Sequence, residues 1–208
     1  AWFETNRSAY ESELAALRAV LPEGRGVEIG VGSGLFAEPL RIRSGVEPSH
    51  AMAERARARG IEVTEGVAEA LPLEDASFDF ALMVTTICFV DDLPAAIEEM
   101  RRITRSPGRK SAGPKSPGRK SAGRIVFGFV DRASPLGRTY EQYKHQDPFY
   151  RIAPFYSTDE LLGLLRERGF VTERIVQTVY GPLEAIQGVQ RWQEGYGEGG
   201  FVALRARA

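Results

Sequence analysis

The stretch VEIGVGSGL, residues 27–35, decides the fold. It predicts a short buried strand, a glycine turn and the start of a helix. Its glycines stand at alternate positions, so the turn carries few side chains and its backbone can adopt φ > 0 and approach a ligand closely. Glu28 precedes the first glycine, and a second acid, Glu47, follows the next predicted strand. We therefore expect a nucleotide-like site at the carboxyl ends of the first two strands.

Predicted strands and helices alternate outward from this stretch. Such alternation favours a parallel sheet with helices on both faces, and the last two strands are expected to pair as an antiparallel hairpin at the sheet edge. The predicted strands are 27–29, 45–47, 61–64, 78–84, 124–130, 170–179 and 200–205. The predicted helices are 3–21, a helix from the glycine turn to about Arg41, 50–59 with Ser49 as N-cap, one capped by Asp92, and one opened by a capping box at 157–160 and ended by Gly169.

Composition and charge place limits on the kind of protein. With 208 residues, 43% hydrophobic and 26% charged, the chain is expected to form a single domain over 1–208. A net charge of −1 gives no overall attraction to nucleic acid or to an anionic membrane. The single cysteine, Cys88, leaves no internal disulfide and no cysteine cluster for a metal, so no metal site is expected. Without a membrane-length apolar run or a signal peptide, a cytoplasmic location is the default expectation.

Residues 106–123 interrupt the pattern, because the octapeptide SPGRKSAG occurs twice, at 106–113 and 116–123. The segment is basic and has too few apolar side chains to offset the entropy of ordering it. We expect a flexible surface loop that the fold does not need. The alternative is a basic arm that touches nucleic acid or another polyanion.

The glycine turn is not the dinucleotide fingerprint, because the third glycine of that motif would fall on Leu35. A dinucleotide site also aims a helix N-terminus at a pyrophosphate, and the negative charge of Glu28 would repel a nearby phosphate. A cationic ligand without phosphate suits the turn better, and S-adenosyl-L-methionine (SAM) has a sulfonium and an α-ammonium. Glu47 is placed to accept hydrogen bonds from both ribose hydroxyls. The structural alternatives are that Glu28 caps the following helix and that Glu47 is an exposed acid at a strand end.

Three segments together carry a family resemblance: VEIGVGSG at 27–34, GVEPS at 45–49, and EGVAEALPL at 65–73 followed by SFD at 77–79. They resemble the class I SAM-dependent methyltransferases and, within them, the methyltransferase type 11 family. The resemblance extends from about residue 27 to residue 130. It implies an α/β, Rossmann-like, doubly wound and mostly parallel seven-stranded sheet with an antiparallel C-terminal edge hairpin and helices on both faces.

The resemblance also implies a cofactor site. Val67 stands where the family usually has Asp, so the adenine would rest on backbone groups near Ala68 and Glu69. The basic repeat occupies the place of a short turn that usually precedes the fifth strand of the family. The cofactor-binding residues that we predict for SAM are Glu28, Gly30, Gly32, Gly34, Glu47, Pro48, Ala68, Glu69 and Thr85.

The acceptor side is expected in residues 131–156, a long connection rich in aromatic residues that we interpret as a substrate cap. We predict Tyr143 and Phe155 as substrate contacts. His145 is the candidate base if the acceptor must lose a proton, with an exposed loop histidine as the alternative. Cys88 is expected to be a small buried hydrophobe, and His50 to be structural or solvated.

Three functions are compatible with these residues. The first is methyl transfer to a small molecule. The second is a nucleic-acid methyltransferase that uses the basic repeat, although TTIC at 85–88 lacks the Asn/Asp-Pro-Pro-aromatic motif that is usual for base methylation. The third is a SAM-binding protein without transfer activity. The sequence leaves the acceptor atom and the oligomeric state open.

Overall fold

The computed structural model describes residues 2–104, 123–146, 150–151 and 153–208. One mixed sheet has the strand order β3-β2-β1-β4-β5-β8-β6-β7. Strands β1 to β5 are parallel, and β8 inserts antiparallel between β5 and β6. The strands are β1 Gly26–Ile29, β2 Ser44–Glu47, β3 Glu62–Glu65, β4 Phe80–Val84, β5 Arg124–Val130, β6 Val171–Thr178, β7 Gln193–Glu194 and β8 Phe201–Arg207.

This confirms the doubly wound, mostly parallel sheet and the antiparallel pairing at its C-terminal edge. The count differs by one, because the two-residue β7 pairs with β6 beyond the seven expected strands. The α-helices are α1 Trp2–Thr5, α2 Arg7–Val20, α3 His50–Ala58, α4 Leu93–Ile103, α5 Pro135–Tyr143 and α6 Thr158–Glu167. Single 3-10 turns lie at Ile87–Phe89, Lys144–Gln146 and Leu183–Ala185.

Two apolar clusters, one on each face of the sheet, form the core. Alternate residues of the central strands point to opposite faces, so Met83 and Phe127 join one cluster while Leu82 and Val126 join the other. Helices α4 and α6 cover the first face, and α2 covers the second with Leu17 fully buried. Helices therefore lie on both faces, as expected.

Helix ends follow the sequence in two places and depart from it in a third. Asp92 accepts a hydrogen bond from the Ala95 N–H, and Ser157 forms the complete capping box with Glu160. Ser49 is the N-cap residue of α3, but its side chain makes no capping bond. Its N–H donates instead to Glu47 Oε1 at 3.0 Å, which places the Glu47 carboxylate at the start of α3.

The predicted helix from the glycine turn to about Arg41 is wrong. Residues 31–41 form successive turns, because Pro39 has no N–H to donate to the Leu35 carbonyl. The hydroxyl of Tyr10 on α2 donates to that carbonyl instead. The Tyr10 ring also packs edge-on against Phe36, so one side chain of α2 holds this segment in place.

We expect Tyr10→Phe to lower the free energy of unfolding by about 1 kcal/mol, because it keeps the ring and leaves the Leu35 carbonyl without its donor. For a chain of this size the corresponding fall in Tm is about 2–4 °C. Tyr196→Phe is the matched control, since the hydroxyl of that exposed residue donates to Asp159 at the surface. Equal melting temperatures for Tyr10→Phe and the wild type would contradict this role.

The long connection after β5 has structure of its own. Asp131, which is buried, accepts hydrogen bonds from the Ala133 N–H and the Thr158 hydroxyl, both at 2.8 Å, and so joins the end of β5 to α6. Helix α5 begins at Pro135, with the Ser134 hydroxyl accepting from the Gly137 N–H. Almost the whole basic repeat (residues 106–122) lies outside the described residues. Within the described ranges, no helix has the length and apolarity that crossing a membrane requires.

Candidate active site: two adjoining cavities

The first cavity opens at the carboxyl ends of β1, β2 and β4. The strand order reverses between β1 and β4, which is where doubly wound sheets place their ligands. Its volume is about 480 Å³. We call it the glycine-turn cavity, and its lining includes Glu28, Gly30, Gly32, Glu47, Pro48, Met52, Val67, Ala68, Glu69, Thr85, Phe89 and Asp91.

Gly30 is required both for its backbone conformation and for lack of space, whereas Gly32 is favoured by its backbone conformation alone. Gly30 has φ 69°, and a Cβ there would stand 2.3 Å from Thr86 Cγ2, so neither backbone nor space permits a side chain. Gly32 has φ 54°, but its added Cβ would meet nothing closer than Met52 Cε at 3.8 Å. The turn is therefore bare on its cavity side, and its backbone can approach a ligand.

Glu47 is buried at the end of β2, and both its oxygens accept backbone hydrogen bonds. The Gly32 N–H donates to Oε2 at 2.9 Å and the Ser49 N–H donates to Oε1 at 3.0 Å. Each carboxylate oxygen has further acceptor capacity toward the cavity. Glu47 is therefore held by the turn itself, in an orientation that suits a pair of hydroxyl donors.

Glu28 is 2% exposed, and its Oε2 has no hydrogen-bond partner among the described residues. Burial, opposed by the Ala37 N–H that donates to the carboxylate and reinforced by the Glu47 charge, raises the pKa of Glu28 well above its ordinary value. Glu28 lines the cavity, although its unpartnered Oε2 is itself buried. A ligand with an ammonium and ribose hydroxyls, and without phosphate, fits this pair of acids and the bare turn.

The loop after β3 forms the opposite wall. Glu69 Oε1 accepts hydrogen bonds from the Asp91 N–H at 2.8 Å and the Asp92 N–H at 3.2 Å, which ties this loop to the segment after β4. The side chain of Glu69 is thus used within the fold. Val67 is 48% exposed at the cavity, so it offers an apolar surface where an acid would offer a hydrogen bond.

The structure brings eight of the nine predicted cofactor residues to this cavity. Gly34 is the exception, because it faces away, and a Cβ on it would stand 2.4 Å from Ile61 Cδ1. Gly34 therefore permits close packing of the turn on the residues after α3. His50, which we expected to be structural or solvated, is exposed, with its Nδ1 2.8 Å from Glu65 Oε1.

The second cavity, of about 580 Å³, adjoins the first and is walled mostly by aromatic rings. Phe3, Phe36 and Thr85 line both cavities. Thr85 has φ 51°, a strained conformation for a β-branched residue, and its N–H donates to the Gly128 carbonyl at 2.7 Å. We call this the aromatic cavity; its other lining residues include Trp2, Glu13, Cys88, Phe129, Tyr140, Tyr143, Lys144, Tyr150, Phe155 and Tyr156.

The predicted acceptor-side residues divide between the aromatic cavity and the surface. Tyr143 and Phe155 line the cavity, with Phe155 buried and Tyr143 half exposed. His145 is exposed in the turn after α5 and is not among the lining residues of either cavity. Burial raises the pKa of the Cys88 thiol to about 12, which fits the expected small buried hydrophobe.

Sequence reasoning missed Glu13, which is buried on α2 and lines the aromatic cavity. A signal was present: Ala9, Ala16, Leu17 and Val20 form the apolar stripe of α2, and Glu13 lies on that stripe by helical spacing. An acid at such a position is unusual enough to mark a candidate site. Among the described residues no group of three or more His, Cys, Asp and Glu side chains could hold a metal ion.

Comparison with known proteins identifies relatives along the whole chain. A family profile described as a methyltransferase domain matches residues 27–110. The structure superposes with a TM-score of 0.89 on a SAM-dependent methyltransferase of Thermotoga maritima, a possible histamine N-methyltransferase, with 50% identity over 99% of this chain and 92% of that chain.

Two sequence relatives extend this likeness. An uncharacterized protein of Methanocaldococcus jannaschii is 40% identical over 99% of this chain and 92% of its own length. A demethylmenaquinone methyltransferase of Roseiflexus castenholzii is 31% identical over 80% of this chain and 77% of its own length. The likeness therefore covers both cavities, including segments outside the profile match.

Proposed function

Since this chain belongs to the SAM-dependent methyltransferases, we propose that it holds SAM in the glycine-turn cavity and methylates a small molecule bound in the aromatic cavity. The observation that carries the proposal is that Phe3, Phe36 and Thr85 line both cavities. A nucleophile in one cavity can then meet a methyl group presented from the other. The whole chain acts as one domain in this proposal, because both cavities are built on the same sheet.

The residues of the glycine-turn cavity bind and orient the cofactor. Glu47 accepts hydrogen bonds from the ribose hydroxyls, and Glu28 lines the part of the cavity that takes the cationic end of the ligand. Backbone groups at Ala68 and Glu69 contact the adenine, with Pro48 beside the ribose. When bound, SAM would supply a methyl group on a sulfonium: the acceptor would form a bond to the methyl carbon in line with the C–S bond that breaks, and S-adenosylhomocysteine would leave. Holding two reactants in such a line contributes roughly 7–11 kcal/mol to catalysis.

The aromatic cavity selects the acceptor and excludes water. Helix α5, Tyr150 and Phe155 supply much of its wall, which supports the substrate-cap role of residues 131–156. The volume suits a small molecule, and walls of this composition do not suit a nucleic-acid strand. Among relatives, one is named for an amine and another for a quinone, so the names alone do not fix the acceptor class. His145 stays a prediction, outside both linings.

The test has two parts. Calorimetry should show that the wild type binds SAM, and formation of S-adenosylhomocysteine with a panel of small amines, phenols and thiols should exceed the rate without acceptor. Binding of SAM with no turnover by any panel member would favour a SAM-binding protein without transfer activity. Turnover with oligonucleotides alone would favour a nucleic-acid methyltransferase.

The aromatic cavity allows a sharper version of this test. Phe155→Leu keeps an apolar side chain but removes a ring whose centroid lies 5.7 Å from that of Tyr150. We expect the acceptor KM to rise about tenfold, as for the loss of one well-packed aromatic contact, while the Kd for SAM stays within twofold. Phe170→Leu is the matched control, because Phe170 is equally buried but packs against Arg101 and lines neither cavity. Equal acceptor KM values for both variants would contradict the assignment.

A further inference from the structure

Glu13 is a buried acid on the wall of the aromatic cavity that the proposed reaction does not use. It stands on α2, is 3% exposed and lies on the cavity wall with Tyr140 and Phe155. Its position on the apolar stripe of α2 directs the carboxylate toward the protein interior, where burial of a charge is costly. Such a residue needs either a partner in the fold or a partner in a ligand.

The fold supplies no partner among the residues that the structure describes. Four acids are buried there, and three of them are hydrogen-bonded: Glu28 to the Ala37 N–H, Glu47 to two backbone N–H groups, and Asp131 to Ala133 and Thr158. For Glu13, neither a hydrogen bond nor an ion pair is found in that part of the chain, and burial alone accounts for its raised pKa.

The neighbouring residue on α2 shows what a structural polar group looks like at this depth. Ser12 is fully buried, donates to the Ser8 carbonyl at 2.6 Å and accepts from the Gln190 N–H at 2.8 Å. Both its hydrogen-bonding functions are met inside the protein. Glu13, one residue along and just as deep, has no such arrangement, so its carboxylate is available to whatever enters the cavity.

Other ionisable groups on the cavity wall do not neutralise Glu13. The Lys144 ammonium is 2.7 Å from Glu141 Oε2 and also donates to the Ala153 carbonyl, so its charge is compensated within α5 and its neighbours. Burial, together with the charges of Glu13 and Tyr150, raises the pKa of Tyr140 to about 12, and burial raises that of Cys88 to about 12. Burial likewise raises the pKa of Tyr156, so these groups stay uncharged at neutral pH.

The aromatic rings that line the cavity together with Glu13 favour a cationic ligand. Tyr140, Tyr150 and Phe155 contact one another with centroids 5.7–6.4 Å apart, and Phe89 extends the group from Tyr150 at 5.5 Å. Aromatic faces carry partial negative charge and attract cations, more strongly in a desolvated site. The ammonium of Lys144 lies beside the same wall, with Nζ 5.9 Å from the Phe155 ring centroid.

From this arrangement we infer that the aromatic cavity takes a small organic amine as its ammonium ion, with the Glu13 carboxylate as counter-charge and the rings of Tyr140, Tyr150 and Phe155 around it. Before methyl transfer the ammonium gives a proton to the Glu13 carboxylate, so that the nitrogen lone pair is free to attack. The inference rests on the proposed function, because it assigns a substrate class to the acceptor site. A neutral quinone or phenol would offer the buried Glu13 carboxyl no opposite charge, and an anionic acceptor would be repelled by its ionised form.

The test is a titration of the full chain with phenethylamine, tyramine and tryptamine, each beside the alcohol and the carboxylate of the same skeleton. Each compound is added with and without SAM. We expect the amines to bind more tightly than their alcohols and carboxylates. In Glu13→Gln the amine Kd should rise at least about thirtyfold while the alcohol Kd changes little, as for the loss of one member of a buried charge pair.

Glu11→Gln is the matched control, since Glu11 lies on the same helix but is paired with Arg7 at the surface, 2.8 Å away. It should bind every compound as the wild type does. Binding of SAM with equal Kd by the wild type and Glu13→Gln shows that the cofactor site is intact. Failure of SAM to bind the wild type would count against the proposed function. Amines that fail to bind, that bind Glu13→Gln equally well, or that bind more weakly than the alcohols would overturn the inference while leaving SAM binding standing.

Discussion

Replacing Glu47 by Ala is expected to weaken SAM binding at least about 100-fold, as measured by calorimetry. Hydrogen bonds to a charged group contribute about 1.5–3 kcal/mol each, and Glu47 can accept from two ribose hydroxyls. The same change removes the acceptor of the Gly32 N–H at 2.9 Å, so the glycine turn loses a support as well. Glu47→Gln keeps one carbonyl acceptor and should lie between the wild type and Glu47→Ala.

The sheet itself offers the control. Glu65 is the register neighbour of Glu47 on β3, but it is exposed and contacts His50 and Arg57. Glu65→Ala therefore removes a strand-end acid of the same charge without touching the cavity, and its Kd for SAM should stay within twofold of the wild type. Wild-type affinity in Glu47→Ala, with its fold verified by circular dichroism, would remove Glu47 from the cofactor site.

Replacing Glu13 by Gln is expected to change how stability depends on pH. Burial raises the pKa of Glu13 from its ordinary value of 4.5 to about 8. Below pH 4.5 the carboxyl is protonated in both the folded and the unfolded chain. Between the two pKa values only the unfolded chain releases the proton, so the free energy of unfolding falls as pH rises, and the loss is complete above about pH 8. The total fall in the free energy of unfolding that this one group causes is on the order of 4–5 kcal/mol.

Urea unfolding at several pH values from about 4.5 to about 9 measures this difference. The amide introduced by Glu13→Gln does not ionise, so the stability of the variant should gain on that of the wild type up to about pH 8 and then stay level, even though a buried amide has its own pH-independent cost. Glu28 is present in both proteins and cancels in the comparison. Glu11→Gln should run parallel to the wild type. A constant difference between Glu13→Gln and the wild type would show that Glu13 ionises normally in the folded protein.

The sequence predicts the sheet well because its cues are local. The near-continuous apolar run at 124–130 becomes the central β5, and Asp92 and Ser157 cap helices as their spacing indicates. The segment after the glycine turn fails for a reason that is visible only in three dimensions. Leu35 and Phe36 have a helical pattern, but Pro39 removes a donor and Tyr10, twenty-five residues before Leu35, satisfies the orphaned carbonyl.

The candidate site likewise has one part that local sequence predicts and another that depends on contacts between distant residues. Motif spacing places eight of the nine proposed cofactor residues on one cavity, because strand ends of a doubly wound sheet meet at a fixed edge. The acceptor side depends on long-range packing. His145 belongs to the aromatic segment in sequence but is exposed in the fold, whereas Glu13 comes from the first long helix and reaches the cavity through the docking of α2 on the sheet.

Apart from the shared Phe3, Phe36 and Thr85, the two cavities are built from different parts of the chain. Apart from Phe3, every lining residue of the glycine-turn cavity falls within the profile match at 27–110, whereas most of the aromatic cavity comes from α1, α2 and residues 129–156. Substitutions or segment replacements in α1, α2 and residues 129–156 would therefore alter the wall of the aromatic cavity while leaving most of the glycine-turn cavity unchanged.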